Sequence, residues 1–409
     1  MKARTTRVLA AGTCAALFLS ACGGADDEQD RASAMYTWLS NQSDRDQWEA
    51  FVHAAQENDP DFDLTLEGPS FDDYWTTVMT RMGASDAPCI MTTQAARTQE
   101  LSELLMPLED LAAEHGLDLD QYNDAMIEGM TVDGEVRAVP YDAQPVVLYY
   151  NKDIFDEAGV EHPDLDYSKD QYVEDLETIT EQTDAAGLAV SPSLGASPGL
   201  VTGFADGHTP ASEGELHLTE PGFVESMQWG FDLIADHGYG SAPSSGDPTD
   251  VNLQEFISGG VATIMDGPWF YETIVSESDS DIGAAVVPSE SGDAHGVIQG
   301  SGFGISQSCD DPEAAFENIM AITTPEVLAE VGSSRGVVPS LEESIEPWAE
   351  TKSDDIVSAV DALLEDGIPL ETTEDWNQVE VTFSQSSGDG YRGSQSAEEI
   401  LTSMEDSVQ

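Results

Sequence analysis

The pentapeptide Gly195-Ala196-Ser197-Pro198-Gly199 has the G-x-S-x-G spacing that sets a nucleophilic serine on a sharp strand-to-helix turn. Acyl transfer at such a turn uses the backbone N–H of the next residue as an oxyanion donor, and Pro198 has no N–H. The turn also needs a helix to follow, whereas Thr202 to Gly207 reads as loop. A serine hydrolase built on Ser197 is therefore disfavoured. Gly300-Ser301-Gly302-Phe303-Gly304 is glycine-rich but leads into a strand, so it does not cradle phosphates. The seven histidines show no metal-ligand spacing. Asp59, Asp61 and Asp63 alternate as in some calcium loops, without the glycine and distal glutamate those loops require. No catalytic set, cofactor or metal is expected, and the chain reads as a binding protein.

The N-terminus carries an address. Lys2, Arg4 and Arg7 precede an apolar stretch, Leu9 to Leu19, and small residues follow. That order predicts a secretory signal peptide over residues 1–21, too short to span a bilayer. Leu19-Ser20-Ala21-Cys22 resembles the bacterial lipobox, so Cys22 is the expected lipidation site. Acyl chains there would hold the protein on the outer face of the cytoplasmic membrane. Residues 22–34 lack periodicity and read as a flexible tether. Of four cysteines, Cys14 leaves with the signal and Cys22 takes lipid. Cys89 and Cys309 remain, in an oxidising compartment. Spacing alone leaves a disulfide and two free thiols equally open.

The 409 residues carry 80 Asp+Glu against 13 Lys+Arg, a formal net charge of −67. Such a chain is repelled by phosphate backbones and by anionic membrane surfaces, so nucleic-acid partners are excluded. The acids are scattered along the chain and only four lysines occur, which predicts a solvated acidic surface adapted to high salt, a halophilic trait. The alternative is that the acidity favours a cationic or osmolyte solute.

The elements that must position any site alternate. Met35 to Leu39 reads as strand, and Ser43 opens a helix with Trp48, Phe51, Val52 and Ala55 on one face. Phe62, Leu64 and Leu66 alternate as in a strand, Asp72 to Met82 is helical, and Cys89 to Thr92 is a short buried strand. This βαβαβ opening predicts a parallel sheet covered by helices. Asp133-Gly134 marks a hairpin, and Val146 to Tyr150 a second buried strand. A long helix from about Phe223 to His237 follows, then strands at Val261–Met265, Ile282–Val287 and Gly302–Ser306, with a helical C-terminal third. Asp311-Pro312 and Ser396 with Glu399 read as helix N-termini. The fold class is α/β, in two lobes.

Four segments in order carry a family resemblance: Tyr149 to Gly159 (YYNKDIFDEAG), Phe256 to Ala262 with Asp266-Gly267-Pro268-Trp269, Gly302 to Ser306 with Pro312 to Ala315, and Gly336 to Pro339. With them the chain resembles the bacterial extracellular solute-binding proteins of ABC importers, in the carbohydrate-binding group related to maltose-binding protein. The resemblance implies a two-lobed periplasmic-binding-protein-like fold of type II, with the ligand cleft between lobes. It implies crossings near Asp142–Pro145, Val297–Gly302 and Leu341–Glu346. Residues 35–142 and 302–345 would form the first lobe, and 146–298 with 346–409 the second. It further implies a monomer that hands a small carbohydrate to permease subunits.

Sugars offer C–H faces to aromatic rings and hydroxyls that need paired donors and acceptors. By the resemblance, Trp269 is the expected stacking ring and Trp376 a second aromatic near the ligand. Arg335, beside the Gly336 turn, is a candidate ligand contact. Asn41, Thr93, Gln94 and Asp142 lie where loops at strand ends and the first crossing face the cleft. Met91-Thr92-Thr93-Gln94 lacks the tryptophan of the maltose-binding relative, and Ser193 to Leu200 lacks an aromatic, which points away from maltodextrins. The family topology also sets the strand after Cys89 antiparallel to the one before Cys309, so the resemblance favours a Cys89–Cys309 bridge.

Overall fold

A computed structural model describes residues 30–212, 214–244 and 247–408. The signal peptide and Cys22 lie outside the described residues. The first sheet places Ala34–Tyr36 between the parallel strands Thr65–Glu67 and Ile90–Gln94. Ser301–Ile305 returns late in the chain and pairs antiparallel with Ile90–Gln94, and Val139–Pro140 closes the edge. Helices Gln42–Asn58 and Phe71–Met82 bury Trp48, Phe51, Tyr74 and Trp75 against it.

The second sheet is centred on Val147–Asn151, all five residues buried, as their unbroken apolar run requires. It pairs antiparallel with Val261–Asp266 on one side and Ile282–Ala285 on the other; Ala186–Leu188 extends the sheet beyond Val261–Asp266. The C-terminal helices Trp376–Tyr391 and Ala397–Asp406 pack into the core of this lobe. A three-stranded ribbon joins the lobes: Val297–Gln299 lies between Gln144–Pro145 and Ile368–Pro369. A further passage runs through the helix Glu342–Ala349, with Leu341 in the first core and Trp348 in the second.

Cys89 and Cys309 are joined, with α-carbons 4.9 Å apart. Ile90 pairs with Ile305, and Ser306 N–H donates to the Cys89 carbonyl at 2.8 Å, so strand register brings the two cysteines together. On the chain-entropy account a crosslink over 220 residues stabilises by about 5.4 kcal/mol.

Several expectations need correction. Residues 31–34 are not tether. Arg31–Ser33 form a 3₁₀ turn, Ala34 begins the first strand, and Arg31 pairs with Asp310 at 2.7 Å. The pinning partners lie some 280 residues away, out of reach of local pattern reading. The first long helix starts at Gln42, with Asn41 as its N-cap. Thr202 to Ala205 is helix rather than loop, in Pro198–Ala205.

That helix also explains the serine motif. Ser197 is its N-cap, fully buried, donating to the Leu194 carbonyl at 2.8 Å. A Cβ on Gly199 would lie 2.6 Å from the Met227 Cα, and one on Gly230 would lie 2.6 Å from the Gly199 nitrogen. The glycines let helices Pro198–Ala205 and Pro221–Ala235 touch backbone to backbone.

Candidate ligand cleft between the two lobes

The carboxyl ends of strands from both sheets converge on one cleft, the usual place for ligands in open α/β sheets. In the first lobe, the chain leaves Tyr36 through Thr37 and Trp38. Gly68, at φ +153°, presses onto this exit: a Cβ there would sit 1.6 Å from the Thr37 carbonyl oxygen. Glycine is required, and its position feeds the chain into the helix that carries Asp72 and Trp75. Trp38 meets Phe71 edge-on at 5.3 Å and Trp75 at 5.9 Å. Arg97 lays its guanidinium over the Trp75 ring at 4.8 Å. The Trp75 indole N–H is buried without a partner.

In the second lobe, Ser191 donates to the Thr249 carbonyl at 2.7 Å and Asn252 Nδ2 donates to Asp266 Oδ2 at 3.1 Å. Asp266 ends its strand and also accepts from the Gly267 N–H at 2.8 Å. Burial pushes its carboxyl up to about 6, with the Asn252, Gly267 and Trp269 hydrogen bonds opposing. Asn252 Oδ1 is buried and unpartnered. The Trp269 ring folds back over Gly267, where a Cβ would meet it at 2.0 Å.

Contacts cross between lobes. Thr249 Oγ1 donates to Asp72 Oδ1 at 3.3 Å, Trp269 packs on the first lobe's core, and Arg97 pairs with Glu380. Gly336, at φ +89°, lies 3.2 Å (from a built Cβ) from the Pro268 carbonyl. The result is an aromatic cleft holding one unpaired buried donor and one unpaired buried acceptor. Such a set suits a polyhydroxylated solute with apolar faces.

The residues expected from sequence fall in different places. Trp269 is half-buried in the cleft. Trp376 is fully buried in the second core, its indole donating to Glu380 at 2.9 Å. Arg335 donates to the Ser43 carbonyl and hydroxyl, both at 2.9 Å, within the first lobe. Asn41 spends its side chain capping a helix, accepting from Asp44 N–H at 3.0 Å. Thr93 is fully buried beside Thr98, while Gln94 is partly exposed at the strand end, capping nothing with its side chain. Asp142 sits in the crossing rather than the cleft. Its Oδ1 accepts from Ser301 N–H at 2.5 Å and its Oδ2 from Gln144 at 2.9 Å. Burial pushes it up to about 7.

Sequence reasoning missed Trp38, Asp72, Trp75, Asn252 and Asp266. Trp38 reads as part of the strand Met35 to Leu39, whereas the strand ends at Tyr36 and leaves Trp38 on its exit. Trp75, at helical spacing, reads as core.

The sequence profile described as "Bacterial extracellular solute-binding protein" matches residues 50–359. A diacetylchitobiose-binding protein of Streptomyces coelicolor is 23% identical over 344 residues, 79% of each chain. A maltodextrin-binding protein of Bacillus subtilis is 26% identical over 202 residues, so the chain spans about half of that relative's length (47%). Among solved structures, a Listeria monocytogenes ABC substrate-binding protein in complex with cycloalternan superposes with TM-score 0.80 at 19% identity, covering 92% of this chain and 97% of that one. A Mycobacterium tuberculosis protein in complex with glycerophosphocholine gives TM-score 0.76 at 19% identity, covering 91% and 96%. These likenesses confirm the two-lobed fold, and with the profile match over most of its length, the chain belongs to the bacterial extracellular solute-binding proteins.

Proposed function

We propose that this protein captures a carbohydrate outside the cell and delivers it to an ABC import permease. Hinge closure about the three-stranded ribbon traps the solute. The carrying observation is the pairing of aromatic rings with Trp75 Nε1 and Asn252 Oδ1, a donor and an acceptor already desolvated and unpartnered. The sugar leaves unchanged, because the one nucleophile motif is committed to capping a helix. Secretion and lipid attachment at Cys22 hold the monomer beside its permease. The test is a thermal-shift screen of the purified protein against a carbohydrate panel, followed by calorimetry and mass spectrometry of the hits. A sugar at a hundred times its Kd adds about 2.7 kcal/mol, readily visible as a raised Tm. Absence of any shift, or release of cleaved sugar over many turnovers, overturns the reading.

A further inference from the structure

Several partly buried acids in this protein find bases, scarce as bases are. Asp206 pairs with Lys169 at 2.5 Å, Glu272 with Lys352, and Glu100 and Glu380 with Arg97. The acids at the cleft do not. Asp266 is 3% exposed and its partners are the Asn252 amide, the Gly267 N–H and the Trp269 indole, all neutral. Asp72 reaches the same place from the other lobe through Thr249, and Asp250 follows Thr249 directly. Asp250 raises the carboxyls of both Asp72 and Asp266 by its charge. Among the described residues, no lysine or arginine forms an ion pair with any of the three. Two other buried carboxylates, Asp142 and Asp175, also lack a base, but each is enclosed by the chain's own donors away from the cleft.

Closing the lobes thus brings one carboxylate toward two others with no cation supplied by the chain. Beside them stands Asn252, 1% exposed, its amide anchored on Asp266 through Nδ2 and its Oδ1 unpartnered. A buried acceptor without a donor costs about 1–3 kcal/mol, which a ligand donor would recover. A protonated amine offers three N–H donors and one positive charge, matching carboxylate and amide oxygens together. Trp75 already carries the Arg97 guanidinium on its ring, so the half-buried Trp269 is the ring left to meet a cation. The Trp75 indole N–H, on the helix that carries Asp72, remains for a ring hydroxyl.

We propose that the solute bound in this cleft is an amino sugar, its ammonium group held between Asp72 of the first lobe and Asp250, Asn252 and Asp266 of the second. The assignment rests on the carbohydrate reading and narrows it to a basic member of that class.

The experiment is calorimetry on the full mature protein with matched sugars that differ only in one substituent. The pairs are glucosamine with glucose, galactosamine with galactose, mannosamine with mannose, and fully deacetylated chitobiose with cellobiose; the N-acetylated forms and choline complete the set. In at least one pair the amine should bind about tenfold or more tighter than its hydroxyl counterpart, and acetylation should remove the advantage. Asp266→Asn, and Asp72→Asn at an exposed position, should each cut the amine-to-hydroxyl ratio at least threefold. Neutral or acetylated sugars binding as tightly as amines overturns this inference and leaves the carbohydrate reading intact. Choline binding with no sugar bound overturns the carbohydrate reading and the amino sugar with it. No binding by any probe overturns both.

Discussion

Trp269 and Trp376 follow similar sequence logic and end in opposite environments. Trp269 comes directly after a strand, behind Gly267 and Pro268, and the strand exit throws it into the cleft. There it is half-buried, against the first lobe. Trp376 begins a sixteen-residue helix, and the helix packs it wholly inside the second lobe. A ring at a strand's carboxyl end is placed by the edge of a sheet, which always opens outward. A ring at a helix start is placed by whichever face the helix buries. The difference predicts that one tryptophan governs binding and the other stability.

The largest effect is expected at Trp376. Trp376→Ala removes a fully buried indole and its hydrogen bond to Glu380, and should cost about 3–5 kcal/mol of unfolding free energy. Urea denaturation measures it. A loss under about 1 kcal/mol would mean that the ring can leave the core, which restores it as a ligand contact.

Trp269→Ala should do the reverse. Losing a stacking ring should weaken carbohydrate binding roughly a hundredfold, while the urea midpoint moves little. Affinity within about threefold of wild type would reduce Trp269 to a ring that packs the lobes together.

The contrast also marks how far the sequence could be read. Strand and helix succession was legible because apolar runs such as Val146 to Tyr150 and punctuating residues such as Asp311-Pro312 act locally. Asp311 does cap the helix Pro312–Ile322, and Ser396 with Glu399 does form a capping box. The disulfide became legible only through the topology the resemblance supplied. What stayed hidden was which polar side chains the chain would use on itself. Asn41 and Ser197 look free in sequence and are spent as helix caps, while Asn252 looks like an ordinary helical residue and keeps an oxygen unpaired. The partners are close in sequence, three residues away for Asn41 and Ser197 and fourteen for Asn252, but which of them each side chain takes is set by the folded backbone.

Carboxylates repeat the contrast between enclosed and cleft-facing groups. Asp142 is enclosed at the crossing, raised to about 7, and Asp266 faces the cleft, raised to about 6. Both are raised above their unfolded values near 3.8, so the folded state binds more protons than the unfolded state between those values. Stability should therefore fall as pH rises from about 4 to 7 and level off above. Asp142→Asn should flatten the upper part of that slope and raise stability at pH 8 by about 2 kcal/mol. The replacement amide can still accept from Ser301 N–H, and its new N–H, which takes the place of the oxygen that accepts from Gln144 Nε2, is met by Gln144 Oε1 once that amide turns over. Denaturation at pH 5 and pH 8 decides it, and a variant less stable than wild type at pH 8 shows that the ionised form is needed at the crossing. Ligand should shift the Asp266 titration and leave that of Asp142 unchanged.

The smallest effect is expected at Arg335, which tests whether a polar residue beside the cleft must belong to it. Arg335 ends the helix Pro325–Arg335, where a cation favours the negative end of the helix dipole. Its Nη2 donates twice to Ser43, in the first turn of Gln42–Asn58, so it ties two helices of the same lobe together. Its Nε is buried and unpartnered, the one feature that could serve a ligand instead. If the tie is its role, Arg335→Ala should lower stability by about 1 kcal/mol, since two exposed hydrogen bonds and a helix-end charge are lost. Carbohydrate affinity should stay within about threefold, because neither lost contact crosses to the second lobe. Arg335→Lys should behave almost as the alanine variant does, for an ammonium lacks the guanidinium's fork. A tenfold loss of affinity with unchanged urea midpoint would reverse the assignment and place the guanidinium on the ligand through Nε.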